Sequence, residues 1–151
     1  MMNRPTPQLW NVAKRLIADE ARENKSSEIK TPEAFYAGEK LRPHLMALMG
    51  GGGFRALLSR ALALTCAKVP KLRAVHVKTD GSLEGWEELC TQLSPAELFD
   101  GRVALLAQLL GLLAAFIGED LTSRLVRDIW PEVRLNDSDI DKERKANENT
   151  K

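Results

Sequence analysis

Aromatic residues make up only 5% of this 151-residue chain, so its core has to be filled by Leu, Ala and Val. That inventory favours helices over a β-sandwich, whose strands draw on β-branched and aromatic side chains. Cysteine and histidine are scarce as well, with two of each. Cys66 and Cys90 belong to no CxxC and have no His at ligand spacing. Two cysteines make no disulfide framework, and reduced thiols in a cytoplasmic protein are the simpler reading. His44 and His76 have no second ligand nearby and HExxH is missing, so no metal is expected. The start, MMNRPTPQLWNVAKRL, lacks an apolar stretch, which predicts no signal peptide.

Catalytic signatures are missing too. Neither GxxxxGK[ST] nor GxGxxG occurs. Ser59 and Ser123 fall inside predicted helices without a G-x-S-x-G elbow. Glu87-Glu88 and Glu119-Asp120 are adjacent in sequence, and such neighbours do not face each other on a helix. Cys66 has Lys68 and Lys71 nearby, a setting that lowers a thiol pKa when the side chain is exposed; the helical stripe leaves its orientation open, and a packed, inert thiol is the expected reading. These absences predict a protein that is not an enzyme and uses no cofactor. The basic stretch contains one aromatic, Phe54, and no nucleic-acid-binding motif accompanies it, so no nucleic acid partner is expected.

What is present is unevenly distributed charge. The net charge is +1, yet Phe54–Lys78 holds six basic residues and no acid, while Thr79–Asp100 holds six acids and no base. Adjacent blocks of opposite sign are expected to face each other within the chain or across a dimer; the sharper alternative makes the basic block a docking surface for an anionic partner.

The apolar spacing reads as an all-α, single-domain bundle of about five to six helices around a buried apolar central helix. One domain suits the length, and such a chain buries about 70% of its unfolded surface. The first helix is predicted from Pro7 to Asn24, with Leu9, Val12, Ala13, Leu16 and Ile17 inward. A polar link, Asn24–Lys30, leads to a second start at Thr31-Pro32-Glu33. The apolar line Phe35, Gly38, Leu41, Leu45, Leu48, Met49 follows, with a kink expected near Arg42 because of Pro43. Four glycines, Gly50–Gly53, then predict a helix connection. A third helix is expected over Phe54–Val69, with Phe54, Leu57, Leu58, Ala61, Leu62, Thr65 and Val69 inward, ended by Pro70.

Lys71–Ser82 fits either a helical turn or a short strand, and a lone strand would find its partner at a dimer edge. Leu83–Leu93 reads as a short amphipathic helix. Ser94-Pro95-Ala96-Glu97 is a capping box, with Leu93 and Leu98 placed as a hydrophobic staple. A brief turn to Asp100 is expected to pass through Gly101 into the central helix, Val103–Gly118, whose one strongly polar residue is Gln108. About 16 residues rise about 24 Å, short of the roughly 30 Å of a bilayer core, which argues for a buried helix over a membrane span. Ala107, Gly111 and Ala115 recur every fourth residue and form a shallow ridge for close helix crossing or self-association. Glu119–Trp130 is an amphipathic helix with Leu121, Leu125, Val126 and Ile129 inward. The helical domain is placed at 1–131, and the polar stretch 132–151 is expected to be disordered.

Three phrases, GGGGFRALLSRALAL, AVHVKTDGSLEG and FIGEDLTSRLVRDIWPEV, resemble stretches of small bacterial helical proteins to which no activity is attached. The resemblance implies a bacterial, standalone domain and carries over no functional residue. Two functional expectations follow. The first is a non-enzymatic protein-interaction or assembly domain whose partner is a second copy, as a homodimer, or another protein. The second is a module for a small anionic ligand or nucleotide, using Gly51, Gly52, Gly53 and Arg55 at the start of the third helix.

Overall fold

In the computed structural model, which describes residues 7–25, 36–81, 83–131 and 133, the chain is mostly helical. Its elements in order are α1 (Pro7–Lys25), α2 (Tyr36–Lys68), a 3-10 turn (Pro70–Ala74), β1 (His76–Val77), β2 (Leu83–Glu84), α3 (Trp86–Cys90), α4 (Pro95–Ile117) and α5 (Glu119–Ile129). Four helices longer than two turns carry the fold, fewer than the five to six expected. The Thr31-Pro32-Glu33 start, most of the Asn24–Lys30 link and the expected tail apart from Val133 lie outside the described residues. Val133 itself is partly buried against the core, and its N–H donates to the Trp130 carbonyl at 3.2 Å.

α4 is the element that the others surround. Residues Val103 to Leu110, Gln108 included, are all buried, as are Leu112 and Leu113. A helix apolar on every side needs cover on every side. α1 and α2 supply most of it, with α5 along a further edge. α1 turns the expected stripe inward: Val12, Ala13, Leu16 and Ile17 are buried.

The start of α4 follows the local code. Ser94 Oγ accepts from the Glu97 N–H at 3.2 Å, and Glu97 Oε1 accepts from the Ser94 N–H at 2.9 Å. The expected short turn before Gly101 is absent; the helix runs unbroken from Pro95. Gly101 is helical and buried, and a Cβ there would lie 3.6 Å from Leu72 Cδ1. The fully buried Leu72 of the 3-10 turn packs against α4 at this position, at an ordinary contact distance. The helix is consequently longer than its apolar run, and by length and composition it is able to cross a membrane; two thirds of its most apolar window is buried inside the fold.

α2 breaks within the expected Gly50–Gly53 connection and not at Pro43: Pro43 sits within helical backbone, and the non-helical residue is Gly50, at φ 81° and ψ 163°. Gly51–Gly53 are helical again. One glycine thus makes the corner, since an L side chain resists that φ. The corner leaves Leu48 exposed, against expectation, while Leu41 and Leu45 stay buried. After it, Phe54, Leu58, Ala61, Leu62 and Thr65 face the core. Thr65 satisfies its buried hydroxyl by donating to the Ala61 carbonyl at 2.7 Å.

The segment after α2 resolves the ambiguity of Lys71–Ser82. It is a 3-10 turn followed by a small antiparallel hairpin, with His76 opposite Glu84 and Val77 opposite Leu83. The strand finds its partner inside the chain, so no dimer edge is needed. β2 also takes the residues expected to begin a helix at Leu83, and α3 begins only at Trp86. Gly85 between them has φ 96°, and a Cβ there would collide with the Ala74 carbonyl oxygen.

Two substitutions separate core from cap. Leu106→Ala, in the fully buried part of α4, is expected to cost about 2–5 kcal/mol. Ser94→Ala is expected to cost about 1 kcal/mol. Urea unfolding followed by circular dichroism measures both.

Candidate functional site

Three places on the described surface combine charge, exposure or apolar character in a way that bears on function: the arginine-held hairpin, a groove beside α2, and the corner between α4 and α5.

At the first, the Lys78–Gly81 turn lies against the start of the second half of α2. Gly81 N–H donates to the Lys78 carbonyl at 2.9 Å. Gly81 has φ 88°, and a Cβ there would come within 2.8 Å of the Phe54 ring. Arg55 Nη1 donates to the Thr79 carbonyl at 2.8 Å, and Arg42 Nη1 donates to the Asp80 carbonyl at 3.0 Å. Arg42 Nη2 also pairs with Glu39 Oε1 at 2.6 Å. Two arginines thus hold adjacent carbonyls of one turn.

This arrangement bears on the Gly-rich site expected at Gly51, Gly52, Gly53 and Arg55. The Arg55 guanidinium does fold back beside Gly52, about 4.0 Å from where a Cβ would stand. Gly53 faces Met49, within 3.1 Å on the same measure. Arg55 is drawn toward the Thr79 carbonyl, so its evident role is to tie the hairpin to α2. The two charge blocks meet here through backbone carbonyls, and again where Lys71 Nζ comes within 4.0 Å of Glu97 Oε2 on the exposed surface.

Lys71 and the Ser94 N–H together set the state of the Glu97 carboxyl. The Ser94 backbone hydrogen bond, and then the Lys71 charge, hold its pKa below the usual glutamate value of about 4.3. A depressed folded pKa adds stability above the unfolded value, and that stability is lost as pH falls through the folded value. Glu97→Gln is therefore expected to flatten the acid limb of a stability-versus-pH curve, read by thermal melts from neutral pH down to the carboxylate range.

The second place is a groove of about 300 Å³. One wall is a single face of α2: Ser59, Leu62, Ala63 and Cys66 follow the i, i+3, i+4, i+7 spacing. The other wall is Arg73 of the 3-10 turn with Val75, His76 and Val77 leading into β1. Val75 and Leu62 are buried, whereas Arg73, His76 and Ser59 are exposed. Burial pushes the partly covered Cys66 thiol up from its ordinary pKa, and the Arg73 charge pulls part of that back. The thiol therefore stays protonated at neutral pH. The Arg73–His76 wall is absent from the expected site residues because its apposition to α2 depends on the hairpin path. The helical spacing of Ser59, Leu62, Ala63 and Cys66 was the available signal.

The third place involves the ridge Ala107, Gly111, Ala115. It is not uniform. Ala107 is fully buried, Gly111 is partly covered and Ala115 is exposed. The ridge climbs out of the core toward the C-terminal end of α4. There Phe116 is 65% exposed, and Leu121 at the start of α5 is 51% exposed. Of the expected inward stripe, Val126 is buried and Leu125 and Ile129 pack against the core, while Leu121 is exposed and Thr122 and Ser123 are buried beside Val126. Thr122 Oγ1 donates to the Gly118 carbonyl at 2.8 Å, which satisfies it. Gly118 has φ 98°, and nothing lies within 4 Å of a Cβ placed on it.

Among the described residues no group of three His, Cys, Asp or Glu side chains is arranged to hold a metal ion. Ser123 is buried and Ser59 is exposed in the groove wall. No family model matches the chain, and no curated protein or solved structure matches it.

Proposed function

We propose that the protein is a non-enzymatic, cytoplasmic interaction domain that pairs with a second copy of itself through the corner between α4 and α5. The observation that carries this reading is the exposure of Phe116 and Leu121 on either side of Gly118. A large apolar side chain left in water forfeits roughly 1.5–3 kcal/mol that burial would return.

A second copy suits this corner because one large and two small residues lie side by side there. Phe116 is a projecting ring, and Ala115 and Gly118 beside it offer small, open positions. Under two-fold symmetry each ring lies over the small residues of the other copy, which is the arrangement an isologous interface demands. α5 carries Glu119 and Asp120 at its start and Arg124, Arg127 and Asp128 one to two turns later, all exposed, so antiparallel pairing of two α5 helices brings the acidic start of each toward the arginines of the other.

Light scattering after size exclusion tests the proposal. The parent chain is expected to run as a dimer at micromolar concentration, and Phe116→Glu and Leu121→Glu as monomers with unchanged helical content. A parent chain that stays monomeric toward millimolar concentration overturns it. So does co-sedimentation with liposomes that Phe116→Glu abolishes in a monomeric parent, which would assign the corner to a membrane surface.

A further inference from the structure

The groove between α2 and β1 lies apart from the residues proposed for self-pairing and is largely open to solvent. Its volume of about 300 Å³ stands at the lower end of pockets that hold small molecules, roughly 300–1,000 Å³. Its lining mixes apolar with polar side chains: Leu62 and Val75 are buried beneath it, Ala63 and Val77 reach its surface, and Arg73 and His76 are the exposed polar groups on the hairpin side.

Arg73 is exposed at the groove, within a stretch of sequence, Phe54–Lys78, that holds no acid. Glu84 is the acid that the hairpin ladder sets opposite His76, so His76 has a competitor for its hydrogen bonds and Arg73 is the principal cation. The Arg73 field reaches the groove wall, where it acts on the Cys66 thiol. A guanidinium offers parallel N–H donors that match the two oxygens of a carboxylate.

We propose that this groove binds a small aliphatic carboxylate, its head group on Arg73 with His76 as a secondary donor and its tail over Ala63 and Val77. A bound tail covers Cys66, which makes that thiol a built-in reporter of occupancy.

The test follows alkylation of Cys66 by neutral iodoacetamide in the full chain, read by mass spectrometry of the Cys66 peptide. Hexanoate and hexanamide serve as probes of equal length that differ in charge. Hexanoate is expected to slow alkylation saturably, and hexanamide to do so several-fold less well. Arg73→Gln is expected to erase the difference between the probes, Arg73→Lys to keep part of it, and Arg60→Gln, outside the groove, to keep all of it. Three results overturn the proposal: no protection by hexanoate, equal protection by hexanamide, or a preference for hexanoate that survives Arg73→Gln.

Discussion

The fold depends on one constraint: α4 is apolar on every side and has to be enclosed. Few other elements of the chain have that demand. α1 is amphipathic and shows water its charged side, while α4 from Val103 to Leu110 has no side that suits water. Enclosure dictates the order of the rest. α1 and α2 cover most of α4, and the 3-10 turn plugs Leu72 against Gly101. The cover ends near Ala115, so Phe116 emerges into solvent where the enclosing elements stop. The proposed interface is therefore a consequence of the same constraint. An apolar helix longer than its cover leaves an apolar end.

The hairpin meets a different requirement. Two strands of two residues each carry too few ladder hydrogen bonds to stand alone in water. Here they are fastened from outside, by Arg42 and Arg55 on successive turn carbonyls and by Phe54 under Gly81. Leu72 and Val75 anchor the chain just before the hairpin. This fastening places Arg73 and His76 opposite the Ser59–Cys66 face of α2. The groove exists because the hairpin is held, and both its walls come from the basic block.

The charge blocks illustrate how a pattern can be right in kind and different in mechanism. Opposite blocks adjacent in sequence suggest ion pairing side chain to side chain. In the molecule Lys71 does meet Glu97 side chain to side chain on the exposed surface, but the shorter contact is Arg55 reaching the backbone of the acidic block at Thr79. A carbonyl fixed in a turn is a better-placed acceptor than a mobile surface carboxylate, which loses side-chain entropy for a screened attraction.

Local chemistry was legible wherever a feature depends on neighbours within a turn or two. The Ser94–Glu97 capping box, the inward stripe of α1 and the burial of the Val103–Leu113 run follow from spacing alone, because each is decided by residues that a helix brings together anyway. The glycines show the limit. Four in a row at 50–53 announced a break, yet the row alone does not choose among them, and the direction of the second half of α2 selects Gly50. Gly101 read as a break and proved to be a packing site, because Leu72 arrives from outside the helix. Leu83 read as the start of a helix and became a strand because His76 and Val77 were there to pair with it. Leu48 and Leu121 carried the right spacing for burial and are exposed, because a stripe specifies a face and the neighbouring elements decide how far along it the cover extends. The sequence by itself determined the helices, the cap and the need to enclose α4. The tertiary structure decided which glycine bends, which leucines stay in water and which walls meet to form the groove, since each of those rests on contacts between segments far apart in the chain.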